Sequence, residues 1–270
     1  MKTPNDTGFT GSIPEIYERD LVPMLFEPFA QDLASRAASV HPSNVLEIAA
    51  GTGAVTRAIA QALPEQVEIV ATDLNQAMLD CAARRGVSRP VRWQQADAMQ
   101  LPFDDAAFDL VVCQFGAMFF PDKARAFAEA RRVLRPGGVL LFNVWDRIGE
   151  NEFGETVSAA LGELYATDPP RFLQRVPHGY CDTGSISRDL AGGGFKAPRI
   201  ETVAKRSHAA SAGVAALAYC QGTPLRGEIE ARAGASLDEA TAACTAALVR
   251  RFGENAIDGK LQAHVVAVQH

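Results

Sequence analysis

Val45-Leu46-Glu47-Ile48-Ala49-Ala50-Gly51-Thr52-Gly53-Ala54-Val55-Thr56-Arg57-Ala58-Ile59-Ala60 is the stretch on which the fold turns. A strand-like apolar run carrying one carboxylate, Glu47, stops at two glycines. Directly after them Val55, Ala58, Ile59, Ala62 and Leu63 recur at i, i+3, i+4, i+7 and i+8, one apolar face of a helix. Glycine accepts positive φ and leaves a bare Cα, so Gly51 and Gly53 permit both a tight reversal and close approach of a ligand to the backbone. Alone, such a turn is equally a plain strand-to-helix connection. A nucleotide-type site also needs an acidic residue about 20 positions on. Asp73 stands 20 residues after Gly53 and closes a second apolar run that starts at Val67.

Downstream the same alternation repeats. Asn75 reads as the N-cap of a helix with Leu74 and Leu79 as a hydrophobic staple, and Gly86 ends that helix. Val91 to Gln95 alternates as a third strand and delivers Asp97. Phe108 to Phe115 is nearly continuous apolar sequence, as in a central strand covered on both faces. A helix over 122–134 is stopped by Arg135-Pro136-Gly137-Gly138, and Val139 to Trp145 forms the next strand. Five strands separated by four helices or crossovers give an α/β, doubly wound parallel sheet.

Beyond Asp146 helices are expected over 151–166, 186–191, 212–221 and 237–252, with strands at 199–205 and 261–268. No Ser/Gly linker or break in composition marks a second unit, so 1–270 reads as one domain. Within it 42–146 forms a cofactor-binding core, and 147–270 supplies substrate-side helical insertions and closing strands. Upstream, residues 1–12 read as a mobile tail. Pro14, Pro23 and Pro28 break 13–29 into short helical pieces, because interior prolines remove hydrogen bonds. Those pieces form either a packing strap or a lid in which Tyr17 covers a cleft. A helix over 27–40 then ends at His41-Pro42.

Composition narrows the class. A net charge of −6 disfavours a polyanion such as nucleic acid as the main partner. Five dispersed cysteines without C-x-x-C spacing fit reduced thiols in a cytoplasmic protein and no metal site. The start, Met1 to Asp6, lacks the apolar core of a signal peptide, and no run approaches a membrane span. A homodimer is compatible with this composition.

The ordered set Glu47 to Gly53, Asp73-Leu74-Asn75, Ala96-Asp97-Ala98, Phe108 to Val112 and Leu134 to Gly138 resembles the class I S-adenosylmethionine-dependent methyltransferases. Within them it is most similar to the small-molecule branch that includes the ubiquinone and menaquinone biosynthesis methyltransferases. The resemblance is strong over 42–146 and weaker beyond. It implies a Rossmann-like sheet of seven strands, mostly parallel with an antiparallel last strand, plus helical lid insertions. It also implies S-adenosyl-L-methionine as cofactor and an O, N or C atom of a small organic molecule as methyl acceptor.

Residue roles follow from that resemblance. Ala49, Gly51, Thr52 and Gly53 would lay backbone against the methionine end of the cofactor, with Glu47 orienting the loop and the ammonium group. Asp73 would accept from both ribose hydroxyls, and Asp97 and Ala98 would meet the adenine. Leu74 and Met78 would form the adenine slot, although a Met on an amphipathic helix is equally a core residue. Gln114 and Phe115 would face the methionine portion, and Tyr17 would reach the cofactor from the lid. Phe119 or Phe120 would line the acceptor side, joined by Tyr180, and His178 is a candidate catalytic base.

The pattern departs from the family where Ala49 replaces a glycine, which is harmless if φ there is negative. Gln114-Phe115-Gly116-Ala117 stands where base-modifying amine methyltransferases carry Asn-Pro-Pro-Tyr. Two rivals remain at this level. One is an NAD(P)-dependent Rossmann oxidoreductase, which would want Gly or Ala at position 56 rather than Thr56; the other is a non-catalytic S-adenosylmethionine-binding protein.

Overall fold

The computed structural model describes residues 6–270. Its strands are β1 (Asn44–Ile48), β2 (Glu68–Asp73), β3 (Arg92–Gln95), β4 (Phe108–Gln114), β5 (Leu134–Trp145), β6 (Arg199–Ala209) and β7 (Ile257–Gln269). They form one seven-stranded sheet in the order β3-β2-β1-β4-β5-β7-β6. β7 runs antiparallel to both β5 and β6, and the other pairs are parallel. The doubly wound sheet with an antiparallel last strand is therefore as the sequence indicates.

Successive strand residues serve opposite faces. Val45, Leu110, Val112, Leu141 and Val265 join one buried cluster with Leu33 and Ile59; Leu46, Val111, Cys113, Phe142 and Val266 join a second. Pleating alone produces this division, since side chains alternate across a strand. Over the first face lie α2 (Glu27–Val40) and α3 (Ala54–Ala62), whose Val55 and Ile59 are buried. Burying one such branched side chain contributes about 1.5–3 kcal/mol.

The remaining helices are α4 (Gln76–Arg85), α5 (Lys123–Val133), α6 (Glu152–Leu164), α7 (Phe172–Arg175), α8 (Thr183–Gly192), α9 (Ala212–Gln221), α10 (Leu225–Glu230) and α11 (Leu237–Phe252). α9 and α11 coincide with the ranges expected from sequence. α7 and α10 have no periodic signal, being too short to show one. Among the described residues no helix is long and apolar enough to cross a membrane.

Three expectations need correction. The proline-rich stretch is a continuous helical run: α1 (Ile13–Ile16), a π-wound segment over Tyr17–Phe26, and α2. Pro14 and Pro28 sit in first turns, where no N–H is needed, and the π segment absorbs Pro23. At its end Glu27 N–H bonds Val22 O, five residues back.

Secondly, Pro136-Gly137-Gly138 is not a loop before a strand but a bulge inside β5. Phe108 pairs with Leu134 and Leu110 with Val139, and Gly137, at φ 84°, takes the turn. Thirdly, of the expected tail, residues 1–5 lie outside the described residues and the rest is anchored. Asp6 accepts from Arg175 at 2.8 Å, and the Phe9 ring packs edge-on against Tyr17 and Phe119.

Candidate active site

Between β1 and β4 the direction of winding reverses, and a crevice opens at the carboxyl ends of the strands, as expected at such a switch point. The turn after β1 builds its floor. Ala49, Gly51 and Gly53 all have positive φ, at 56°, 57° and 82°. The assumption that Ala49 has negative φ is therefore wrong: a Cβ is tolerated in the left-handed region at a cost of about 1–2 kcal/mol. Gly53 has no such latitude, since a Cβ there would stand 2.9 Å from the Trp93 ring and 3.3 Å from Ala82 Cβ. Gly116, after β4, is equally constrained, because a Cβ would come within 2.8 Å of Cys113 Sγ.

Asp73 ties two loops together. Its Oδ2 accepts from Gly51 N–H at 2.8 Å and its Oδ1 from Asn75 N–H at 2.8 Å. A carboxylate has about four acceptor sites, so Oδ2, with one donor, keeps room for a ligand hydroxyl. Burial pushes its carboxyl above the ordinary range, and these backbone donors pull the other way. Asn75 occupies the N-cap position of α4, but its side chain does not cap the helix; its amide turns back 3.5 Å from Asp73 Oδ1. The staple is likewise absent: Leu74 is 50% exposed at the cleft while Leu79 is buried.

Glu47 is buried, accepts from Thr56 Oγ1 at 2.6 Å, and has its carboxyl pushed up to about 8 by desolvation. Thr56, the residue that spoils a nicotinamide fingerprint, is thus the partner of this carboxyl. Asp97, on the rim, accepts from Met99 N–H at 2.8 Å.

The cleft spans about 940 Å³, the space open to solvent at its mouth included, and is lined by Tyr17, Ala49, Gly51, Asp73, Leu74, Met78, Asp97, Ala98, Gln114, Phe115, Phe119 and Phe120 among the residues singled out in the sequence. Glu47, Thr52 and Gly53 are not lining residues; they hold the turn from behind. One buried acceptor in the lining, Gln114 Oε1, has no hydrogen-bond partner among the described residues, while Gln114 Nε2 donates to Phe26 O at 3.3 Å. An orphaned acceptor costs about 1–3 kcal/mol until a donor such as an ammonium group meets it. With the room left at Asp73 Oδ2, it gives the cleft a donor-seeking polar edge beside an apolar slot, a fit to an amino-acid-bearing nucleoside.

A second cavity of about 600 Å³ adjoins the first and shares Phe9, Tyr17, Phe115 and Phe119 with it. Phe115 stacks on Trp145 at 3.6 Å between centroids, and Phe26 stacks on Tyr17 at 4.9 Å. His178 reaches this chamber; Tyr180 does not line either cavity, its hydroxyl donating instead to Asp189 at 2.8 Å. Residues that sequence reasoning missed include Phe9, Trp145 and Tyr219. For Trp145, the end of a strand neighbouring β4 is a usable signal; Phe9 and Tyr219 have none, lying far from every motif. Among the described residues no group of three His, Cys, Asp or Glu side chains could hold a metal ion, and all five cysteines are unpaired.

Comparison with known proteins agrees with this geometry. Residues 46–142 match the profile of a methyltransferase domain. A ubiquinone/menaquinone biosynthesis C-methyltransferase of Cupriavidus necator is 36% identical over 172 residues, covering 59% of this chain and 70% of that protein. One from Idiomarina loihiensis is 40% identical over 125 residues, covering 45% of this chain and 47% of that protein. The chain thus spans about half the length of some of these relatives. Among solved structures, a methyltransferase-like protein of Bacillus halodurans superposes with TM-score 0.56 at 20% identity, covering 88% of this chain and 97% of that one. A Haemonchus contortus phosphoethanolamine N-methyltransferase, solved with S-adenosylhomocysteine, superposes with TM-score 0.56 at 18% identity over 98% of this chain and 58% of that one. At these identities the structures speak for the fold.

Proposed function

The chain belongs to the class I S-adenosylmethionine-dependent methyltransferases, and from that premise we propose that it moves a methyl group from S-adenosylmethionine to a small organic acceptor in the cytoplasm. The observation that carries the reading is Asp73, which lines the cleft, holds the Gly51 and Asn75 loops with its two oxygens, and has at Oδ2 only the Gly51 N–H as donor. Asp97 at the rim and the Leu74–Met78 slot support the adenine end, and the orphaned Gln114 Oε1 supports the ammonium end.

The bound cofactor supplies an electrophilic methyl on a sulfonium centre, so the protein's share is alignment and exclusion of water. The aromatic side chains common to both cavities provide that partition, and their electron-rich faces suit a cation. The adjoining chamber, lined mainly by aromatic and aliphatic side chains, supports a small-molecule acceptor. The net charge of −6 supports the same choice over a nucleic acid.

Calorimetry tests the assignment. S-adenosylmethionine should bind the unaltered protein, Asp73→Ala should weaken binding about 10²- to 10³-fold through loss of charge-assisted hydrogen bonds, and Asp97→Ala should weaken it less. Unchanged binding in both variants would remove the cleft from consideration.

A further inference from the structure

The second cavity has a sparse and specific set of polar atoms. Its walls are mainly aromatic and aliphatic, and among the described residues no Lys, Arg, Asp or Glu lines it. A carboxylate, phosphate or ammonium on an acceptor would be desolvated there without a counter-charge, which burial among apolar groups does not repay. Of the polar residues that line it, two are already committed. Asn151 uses its amide on the carbonyls of Asp146, Arg147 and Gln262 and its oxygen on Gln262 N–H. Thr223 donates to Tyr219 O at 2.8 Å and accepts from Leu225 N–H at 3.2 Å.

Tyr17 sends its hydroxyl toward the neighbouring cleft, 3.9 Å from the point a Cβ on Gly51 would occupy, which leaves His178 and Tyr219, at 8% and 4% exposure. His178 Nδ1 lies 2.8 Å from Asp146 O. A carbonyl oxygen only accepts, so Nδ1 carries the proton and Nε2 presents a bare lone pair. Nε2 and the Tyr219 hydroxyl both stand 3.6 Å from the point a Cβ on Gly154 would occupy. Glycine at 154 keeps that space open, and neither atom has a hydrogen-bond partner among the described residues. Beside them the Phe115–Trp145 stack, tilted by only 7°, offers a flat face.

Resting on the methyl-transfer reading above, we propose that the acceptor is an uncharged planar molecule bearing a phenol-type hydroxyl, and that His178 Nε2 is the general base of an O-methylation. The acceptor hydroxyl donates to Nε2 while Tyr219 donates to that oxygen or to a second oxygen on the ring. In the step, a bond forms from the acceptor oxygen to the methyl carbon as the carbon–sulfur bond breaks, with its electron pair staying on sulfur. The hydroxyl proton passes to Nε2 and from there to solvent. Total charge in the chamber is conserved, because the positive charge lost at sulfur is gained by the imidazole. That conservation is what allows a base to work amid aromatic side chains.

Burial holds His178 well below its ordinary value, at about 4. Around it stand Tyr219 on α9, Cys181 in its own loop, and Asp146 after β5. The Asp146 carboxylate is turned to Gln262 Nε2 at 2.6 Å and to His264 Nε2 at 3.3 Å. The imidazole is therefore neutral throughout pH 5 to 9, and the same burial that keeps it neutral opposes its charging, so the proton it takes in the step must be coupled to the loss of charge at sulfur.

The test uses labelled S-adenosylmethionine with 2-naphthol, benzoate and 2-phenylethylamine as probes. The expected result is a methyl ether from 2-naphthol and no product from the charged pair. His178→Gln should lower kcat about 10²- to 10³-fold with little change in KM or in cofactor affinity. Its residual rate should rise about tenfold per pH unit between pH 7 and 9, tracking naphtholate, where the unaltered enzyme stays level. Tyr219→Phe, a milder change that keeps the ring, should lower kcat about 5- to 10-fold. Carbon methylation, products only from charged probes, no ether from a protein that binds cofactor, or an unchanged kcat in His178→Gln each overturns the proposal. Failure of the unaltered protein to bind S-adenosylmethionine overturns the methyltransferase reading instead, so the two failures are distinct.

Discussion

The cleft and the chamber lie side by side and share a wall, yet they are made in opposite ways. The cleft is made of short turns at strand ends, where the deciding contacts join turn residues of adjacent strands: Asp73 to Asn75 and, 22 positions away, to Gly51, and Glu47 to Thr56. The chamber is a meeting of side chains from the N-terminal helical run, the loop after β4, β5, α7, α9 and β7. The first is a property of backbone conformation at a few positions; the second is a property of how distant elements pack. Damage to the cleft should therefore be sharp and local. Damage to the chamber should be graded, since a wall of many aromatic contacts loses one at a time.

Three substitutions in the cleft probe that contrast, each read as unfolding free energy and again as quenching of Trp145 by 2-naphthol. The largest effect is expected from Glu47→Gln. The ordinary value for this carboxyl is 4.5, and burial raises it to about 8 in the folded chain. Between those limits the native state keeps a proton that the unfolded state has released, so the stability this group contributes is lost as pH rises and is level above about 8. Glutamine still accepts from Thr56 and has nothing to titrate. Urea unfolding at pH 5, 7 and 9 should show the variant gaining on the parent by about 4 kcal/mol across that range; parallel profiles would contradict the burial argument.

Next comes Gly53→Ala, which meets Trp93 and leaves alanine at φ 82°. A loss of about 2–4 kcal/mol follows from strain and overpacking together. The smallest change runs in the other direction. Ala49→Gly relieves a left-handed alanine and gives back part of the gain as unfolded-state entropy, for a net stabilisation of about 0.5–1 kcal/mol. In all three, 2-naphthol quenching should stay within about twofold of the parent. A chamber that weakens in step with the cleft would erase the distinction between the two regions.

The same contrast explains what could be read from the chain alone. That Gly51, Asp73 and Asp97 meet at one cleft was legible because a strand-turn-helix unit sets its turn residues at fixed offsets from a periodic pattern. Alternation in Val45-Leu46 and in Leu110 to Cys113 carried the two-faced sheet for the same reason. Tyr219 and Phe9 were not legible: an aromatic residue on a buried helix or in a leading segment has the same local signature whether it faces a core or a cavity. His178 was visible only as a histidine in a turn-rich loop, and its meaning depends on Asp146 O, 32 positions away. The proline rule misled over 13–29 because it presumes α winding, and the Pro136-Gly137-Gly138 run was placed outside a strand that in fact bulges around it. In both, the backbone found a less regular hydrogen-bond pattern that keeps the element intact.

The π-wound segment has one more consequence. At about 100° per residue, α winding would put Tyr17 and Phe26, nine positions apart, on opposite sides of the helix. Slower winding brings them to one side, in a stripe with Leu21 and Leu25 that papers the chamber wall. Chain length is then a dial for pocket shape. Removing one residue between 18 and 25 would let the helix rewind, swing Tyr17 away and widen the cavity without altering the sheet, so relatives could diverge in acceptor range by a single codon's deletion, a route that substitution alone does not offer.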